Sequence, residues 1–114
     1  MHELYLASSI LNIVQEYAVN QQFTKVNSIS LSFGRLSCIE PKSLQFAFEV
    51  QAKETPMQNT VLQFKILPPV IHCFSCGKDL EVDTYEAICP RCKGEEVMLV
   101  GGTEELQILE MDVD

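Results

Sequence analysis

Four of the five cysteines form two CxxC pairs, Cys73/Cys76 and Cys89/Cys92. A CxxC turn places two sulfurs on one edge of a tetrahedron with backbone N–H groups facing them, and two such turns complete the four-ligand sphere that Zn²⁺ prefers. A glycine follows soon after each pair and permits a left-handed turn there. We therefore predict one structural Zn²⁺ bound by the thiolates of Cys73, Cys76, Cys89 and Cys92.

A rubredoxin-like iron site and a redox-active CxxC are the competing interpretations of this pattern. A closed four-cysteine site leaves no coordination position for a substrate, so its role is structural, or regulatory through its geometry. His72 could replace a thiolate, but we interpret it as a polar residue at a strand end. We interpret Cys38 as a small, semi-buried side chain rather than as a nucleophile.

The first residues, Met1-His2-Glu3, form a second group of possible metal donors. The imidazole Nδ1 and the backbone amide of His2 can close a six-membered chelate ring, and the Met1 amine with the same amide closes a five-membered ring. Adding the Glu3 amide or another nitrogen completes a square plane, which suits Ni²⁺ or Cu²⁺. Without further context such a histidine is usually an exposed residue near a helix start, and Glu3 is more often a carboxylate that stabilises the helix dipole than a metal contact.

The negative net charge of the chain limits the kinds of partner that it can bind. The chain has 114 residues and a formal net charge of −8. Residues 69–100 contain three basic and six acidic residues, and residues 101–114 contain five acidic residues and no basic one. We therefore expect no nucleic-acid partner. Because no long apolar run and no secretory signal stand out, we expect no membrane insertion and a cytoplasmic location.

Hydrophobic periodicity predicts the elements that position these residues. A helical stripe runs from Leu4 through Ala7, Leu11 and Val14 to Ala18, widened by Ile10 and Tyr17, and a second stripe lies within Pro41–Ala52 at Leu44, Ala47, Phe48 and Ala52. Alternation predicts strands at residues 28–33, with Ile29, Leu31 and Phe33 inward, and at residues 62–66, 80–83 and 85–88. A closing strand at residues 106–113 changes its inward set from Leu106/Ile108 to Leu109/Met111/Val113, which predicts a bulge near Ile108.

This order predicts an α+β fold in which two helices pack on a small three-stranded sheet, with an inserted zinc-ribbon-like module. The predicted domain of helices and sheet consists of residues 1–68 plus 101–114. The zinc-binding domain is residues 69–100, inserted before the last strand. Pro68-Pro69 and Gly101-Gly102 are the predicted hinges.

Segments along the whole chain together resemble the HypA/HybF family of nickel metallochaperones. They are, in order, Met1-His2-Glu3-Leu4, Gly34-Arg35-Leu36-Ser37, Leu44-Gln45-Phe46-Ala47-Phe48-Glu49, the paired CxxC module and Glu105-Leu106-Gln107-Ile108. The resemblance implies that residues 1–68 plus 101–114 are a nickel-binding α/β domain. It also implies nickel bound by the imidazole and amide of His2 and the amide of Glu3. Glu40 lies where some relatives place an acidic residue near the nickel site.

The resemblance further implies that the chain is not an enzyme, and that Ni²⁺ is transported while Zn²⁺ is structural. The implied partners are a HypB-like GTPase and the NiFe-hydrogenase large subunit, with urease maturation proteins in some organisms. We expect a monomer or a weak homodimer. The alternative function is a zinc-ribbon protein-interaction adaptor without nickel transport, and an enzyme is the poorest interpretation because no nucleophile–base pair stands out.

Overall fold

The computed structural model describes residues 2–114, except for the side chain of His2. Two α-helices, six strands and a short 3₁₀ helix make up the described residues. They are α1 (His2–Gln21), β1 (Val26–Gly34), the 3₁₀ helix (Arg35–Ser37), α2 (Pro41–Ala52), β2 (Val61–Leu67), β3 (Val70–Cys73), β4 (Lys78–Glu81), β5 (Val97–Gly101) and β6 (Gln107–Val113). No helix among them is both long and apolar enough to cross a membrane.

The strands form two separate three-stranded sheets. The first has the order β2-β1-β6, and the second has the order β4-β3-β5. In the first sheet β1 pairs antiparallel with β6, and in the second β3 pairs antiparallel with both neighbours. The predicted α+β fold, with two helices, a small three-stranded sheet and an inserted module, is confirmed.

The chain divides into two compact units. The body comprises Met1–Ser32, Ile39–Lys65 and Gln107–Asp114, and the metal module comprises Phe33–Cys38 and Ile66–Leu106. Both predicted hinges therefore lie within the metal module, together with the last two residues of β1 and the 3₁₀ helix that follows. The functional division into a nickel-binding and a zinc-binding domain stays a prediction.

Helix α1 buries its apolar stripe within the body only over its middle turns. Ala7, Ile10, Leu11 and Val14 are buried, but Leu4 and Tyr17, which we also placed in the stripe, are 45% and 49% exposed. A helix of this length spans about 30 Å. The buried stripe is shorter than this length, because Leu4 near the beginning of α1 and Tyr17 near its end lie at the surface.

Helix α2 begins where the sequence predicts. Pro41 occupies its first turn, and the Glu40 carboxylate caps it, because Oε1 accepts a hydrogen bond from the Lys42 amide at 3.0 Å. The predicted inward residues of α2 are all buried: Leu44, Ala47, Phe48 and Ala52. Gln51 links this helix to α1, since its Nε2 donates to the Leu4 carbonyl at 3.1 Å and its Oε1 accepts from the Ser8 hydroxyl at 2.6 Å.

Strand β1 is the centre of the first sheet, and its three predicted inward residues are buried, although Ser32 between two of them is buried as well. Ile29, Leu31 and Phe33 are at most 1% exposed. Opposite them, the pairing changes from Ser30↔Glu110 to Leu31↔Ile108, so the predicted bulge in β6 is confirmed.

The predicted inward set of β6 needs correction at the bulge. Ile108 and Met111 are half-buried, whereas Leu109 is 51% exposed and Val113 is 38% exposed. Leu109 is the extra residue between the two registers, and a bulged residue is left outside the regular alternation of faces.

The metal module differs from prediction in three places. Residues 85–88 are exposed and form no strand, whereas β3 and β5 are strands that we did not predict. Strand β3 pairs with both β4 and β5. Gly101 thus pairs with Val70 instead of opening a linker. The alternation at residues 85–88 was misleading because these residues belong to the loop that leads into the second cysteine pair.

Candidate metal centre

The four predicted cysteines converge in the metal module. Their sulfurs all lie within 4.8 Å of one another. The Cys73 and Cys92 sulfurs are 3.7 Å apart, and those of Cys76 and Cys89 are 3.9 Å apart. A tetrahedral site with metal–sulfur bonds of about 2.3 Å has edges of about 3.8 Å. The four thiols therefore fit a single tetrahedral metal ion.

The first cysteine pair lies where β3 ends. The Cys76 amide faces the Cys73 sulfur at 3.4 Å, and the Gly77 amide donates to the Cys73 carbonyl at 2.7 Å. Gly77 has φ of +70°, so the left-handed turn predicted for this glycine is present. The turn directs backbone N–H groups towards the metal ligands.

The second pair makes a similar turn with a different residue. Lys93 donates its amide to the Cys89 carbonyl at 2.8 Å, and it, rather than Gly94, is the left-handed residue, with φ of +63°. The Gly94 amide lies 3.4 Å from the Cys92 sulfur. A Cβ atom on Gly94 would lie 3.2 Å from that sulfur, so this glycine allows close approach.

The thiols are not equivalent before a metal binds. Backbone hydrogen bonds, first from Cys92 and then from Arg91, lower the pKa of Cys89 to about 6. Hydrogen bonds of its thiol to Cys92 and Cys73, together with burial, raise the pKa of Cys76 to about 12. Adjacent sulfurs resist a common negative charge, and a bound cation is what allows all four to be thiolates together.

His72 and Cys38 lie outside the group of four sulfurs. The His72 Nδ1 is 2.7 Å from the Asp79 carboxylate, and its ring packs edge-on against Phe74 at 4.8 Å. This position fits a polar residue within β3, adjacent to a ligand. Cys38 is exposed, so the semi-buried position that we predicted is wrong. It follows the 3₁₀ helix in a left-handed conformation, φ +65°, at the surface.

The predicted nickel donors lie at the beginning of α1. The Met1 amine and the His2 imidazole fall outside the described residues, and the backbone of α1 begins at His2. The Glu3 carboxylate accepts a hydrogen bond from the Glu40 amide at 3.4 Å. Sequence reasoning missed this contact, because 37 positions separate the two residues and no local pattern reports it.

Two solved structures share the fold of this chain. One is titled "Solution structure of the Ni metallochaperone HypA from Helicobacter pylori", with TM-score 0.63, 19% identity and coverage of 97% of this chain and 96% of that one. Another is titled "Solution structure of HypA protein", with TM-score 0.70, 21% identity and coverage of 99% and 96%. At these identities the comparison establishes the fold alone.

Sequence comparison establishes the family. The chain is 52% identical over 114 residues to the hydrogenase maturation factor HypA of Syntrophus aciditrophicus, covering 100% of both chains. It is 37% identical over 112 residues to that of Methanococcus maripaludis, covering 91% of this chain and 89% of the other. The family model described as "Hydrogenase/urease nickel incorporation, metallochaperone, hypA" matches residues 1–113. This chain therefore belongs to the HypA family of nickel metallochaperones.

Proposed function

We propose that this protein binds Ni²⁺ through His2 and Glu3 and delivers it for maturation of NiFe-hydrogenase. The observation that carries the proposal is the match of the nickel-incorporation family to residues 1–113, in a chain that keeps the four-thiol site. Such a protein carries a metal ion between sites instead of catalysing a reaction.

The nickel donors are the imidazole and amide of His2 and the amide of Glu3. Amides in the first turn of a helix lie outside its i→i−4 hydrogen-bond ladder, so coordination there does not disrupt the rest of α1. The Glu3 carboxylate already accepts from the Glu40 amide, and this contact favours the backbone of Glu3 as the donor. Nitrogen donors in a plane suit Ni²⁺.

The four-thiol site holds a structural Zn²⁺ ion. Zn²⁺ has no geometric preference from its d electrons and accepts a thiolate tetrahedron, whereas Ni²⁺ with nitrogen donors favours a plane. The sulfur–sulfur distances of 3.7 and 3.9 Å agree with the tetrahedron. The transported Ni²⁺ and the structural Zn²⁺ thus bind different kinds of donor atom, so the four-thiol site does not retain the Ni²⁺.

We assign the nickel site to residues 1–68 plus 101–114 and the zinc site to residues 69–100. The partners that fit this role are a HypB-like GTPase and the NiFe-hydrogenase large subunit, and the family description adds urease as a second destination for nickel. Free thiols at a metal site require a reducing compartment, so we place the protein in the cytoplasm.

Metal analysis separates this function from a zinc-ribbon adaptor. The full chain, with no residue added before Met1, is dialysed against Ni²⁺, and nickel and zinc are measured by inductively coupled plasma mass spectrometry. Delivery requires bound nickel that a competing acceptor removes while zinc remains. Zinc without nickel would contradict delivery and support the adaptor, and iron instead of zinc would contradict the zinc assignment.

A further inference from the structure

The loop that leads to the second cysteine pair has little to hold it in place. Residues 82–88 have no regular structure, and the side chains of residues 83–88 are all exposed. Backbone hydrogen bonds fix its two ends: the Val82 amide donates to the Pro69 carbonyl at 2.9 Å, and the Cys89 amide to the Gly94 carbonyl at 2.9 Å. Apolar burial therefore contributes little to the position of this loop.

One long-range side-chain contact reaches into the loop. The Arg35 guanidinium donates to the Asp83 carbonyl at 2.8 Å across 48 positions of sequence. A guanidinium is charged at every physiological pH, so this hydrogen bond is charge-assisted and does not depend on protonation. It fixes the loop at the point where β4 and its backbone pairing have ended.

The backbone that carries Arg35 is itself held on both sides. The Gly34 amide donates to the Glu104 carbonyl at 2.9 Å, and the Leu36 amide donates to the Gly102 carbonyl at 2.7 Å. A Cβ atom on Gly34 would lie 2.1 Å from the Gly102 oxygen, so no other residue fits there. Arg35 therefore extends from a fixed base within the metal module.

We infer that Arg35 is a positioning residue of the four-thiol centre. By holding the Asp83 carbonyl, it adds a side-chain anchor beside the backbone hydrogen bond of Val82, so the start of the loop before Cys89 stays fixed when a metal–sulfur bond opens. A loop that starts from a fixed point returns the second cysteine pair to the first pair more readily, so the metal is released more slowly. The inference rests on the proposed zinc occupancy of this site.

The test is the rate at which a chelator removes Zn²⁺ from the loaded full chain. A hydrogen bond contributes about 1 kcal/mol, and losing that amount corresponds to about a fivefold change in a rate. Arg35→Met should therefore release Zn²⁺ about fivefold faster than wild type. Arg35→Lys keeps a charged donor and should lie between the two. Lys65→Met, which removes an exposed cation from the body, is the matched control and should leave the rate unchanged.

A second readout distinguishes positioning from general destabilisation. Co²⁺-loaded wild type and Arg35→Met should give the same thiolate charge-transfer spectrum, because Arg35 changes no ligand. The inference is overturned if Zn²⁺-loaded wild type and Arg35→Met release the metal at equal rates. It is also overturned if Arg35→Met lowers the unfolding free energy of the body by as much as it favours release of the metal. If wild type takes up no Zn²⁺ at all, the proposed zinc site itself is wrong.

Discussion

The sulfur of Cys73 lies 3.7 Å from that of Cys92, although the two residues belong to different CxxC pairs. The remaining members, Cys76 and Cys89, approach to 3.9 Å. Each pair therefore contacts the other through both of its cysteines. A metal ion bound to the four sulfurs would therefore link the two pairs.

Cys92→Ala should lose the metal and unfold the metal module while the body stays folded. The module has few buried apolar residues and depends on metal binding for its stability, whereas the body has its own core. Native mass spectrometry measures the metal, and amide hydrogen exchange reports the body through β1 and α2. A Cys92→Ala protein that keeps a tightly bound metal would contradict the site.

Gly77→Ala and Lys93→Gly should differ in their effects on metal affinity. Both positions are left-handed, with φ of +70° and +63°. A Cβ at Gly77 meets no atom within 4 Å, so alanine there pays the conformational cost alone, about 1 kcal/mol. Gly77→Ala should weaken Zn²⁺ binding about fivefold, and Lys93→Gly should not weaken it. Chelator competition measures the Zn²⁺ affinity of both variants. Equal losses of affinity would contradict the left-handed turns at Gly77 and Lys93.

The orientation of α2 predicts different outcomes for its two phenylalanines. Phe48 is fully buried, and Phe48→Ala should lower the unfolding free energy by about 3 to 5 kcal/mol. Phe46 is 68% exposed, so Phe46→Ala should change it by about 0.5 kcal/mol or less. Urea denaturation followed by circular dichroism compares them. Similar losses for the two variants would mean that α2 is rotated.

Glu40 should matter for stability more than for nickel binding. Its carboxylate caps α2 through the Lys42 amide, so Glu40→Ala should destabilise the body by about 1 kcal/mol. Glu40→Asn, which restores a capping acceptor, should recover most of that loss. Both variants keep the backbone amide and should bind Ni²⁺ like wild type. Loss of nickel binding in both would instead make the Glu40 carboxylate a ligand.

Features that repeat along the sequence were predictable. The alternation at Ile29, Leu31 and Phe33 and the helical stripe of α2 each reflect one face turned to the core. The four metal-binding cysteines were predictable from spacing alone. The bulge at Leu109 was visible as two incompatible registers in one strand.

Features that depend on distant parts of the chain were not predictable. Residues 85–88 and 97–101 both look like strands locally, and pairing with β3 selects the second. The left-handed conformation of Lys93 is imposed by hydrogen bonds around the metal site, although Gly94 stands next to it. The contact from Arg35 to Asp83 joins residues 48 positions apart and leaves no local signal.

We propose that this chain carries nickel at its first residues. Isothermal titration calorimetry with Ni²⁺ tests it most directly, using wild type and His2→Ala with no residue added before Met1. Wild type should bind with a dissociation constant of about 1 µM or weaker, which permits release to a stronger site. His2→Ala should show no nickel binding, because it removes the imidazole that anchors amide coordination, and it should keep its zinc. Equal nickel affinity in wild type and His2→Ala would contradict nickel binding through His2.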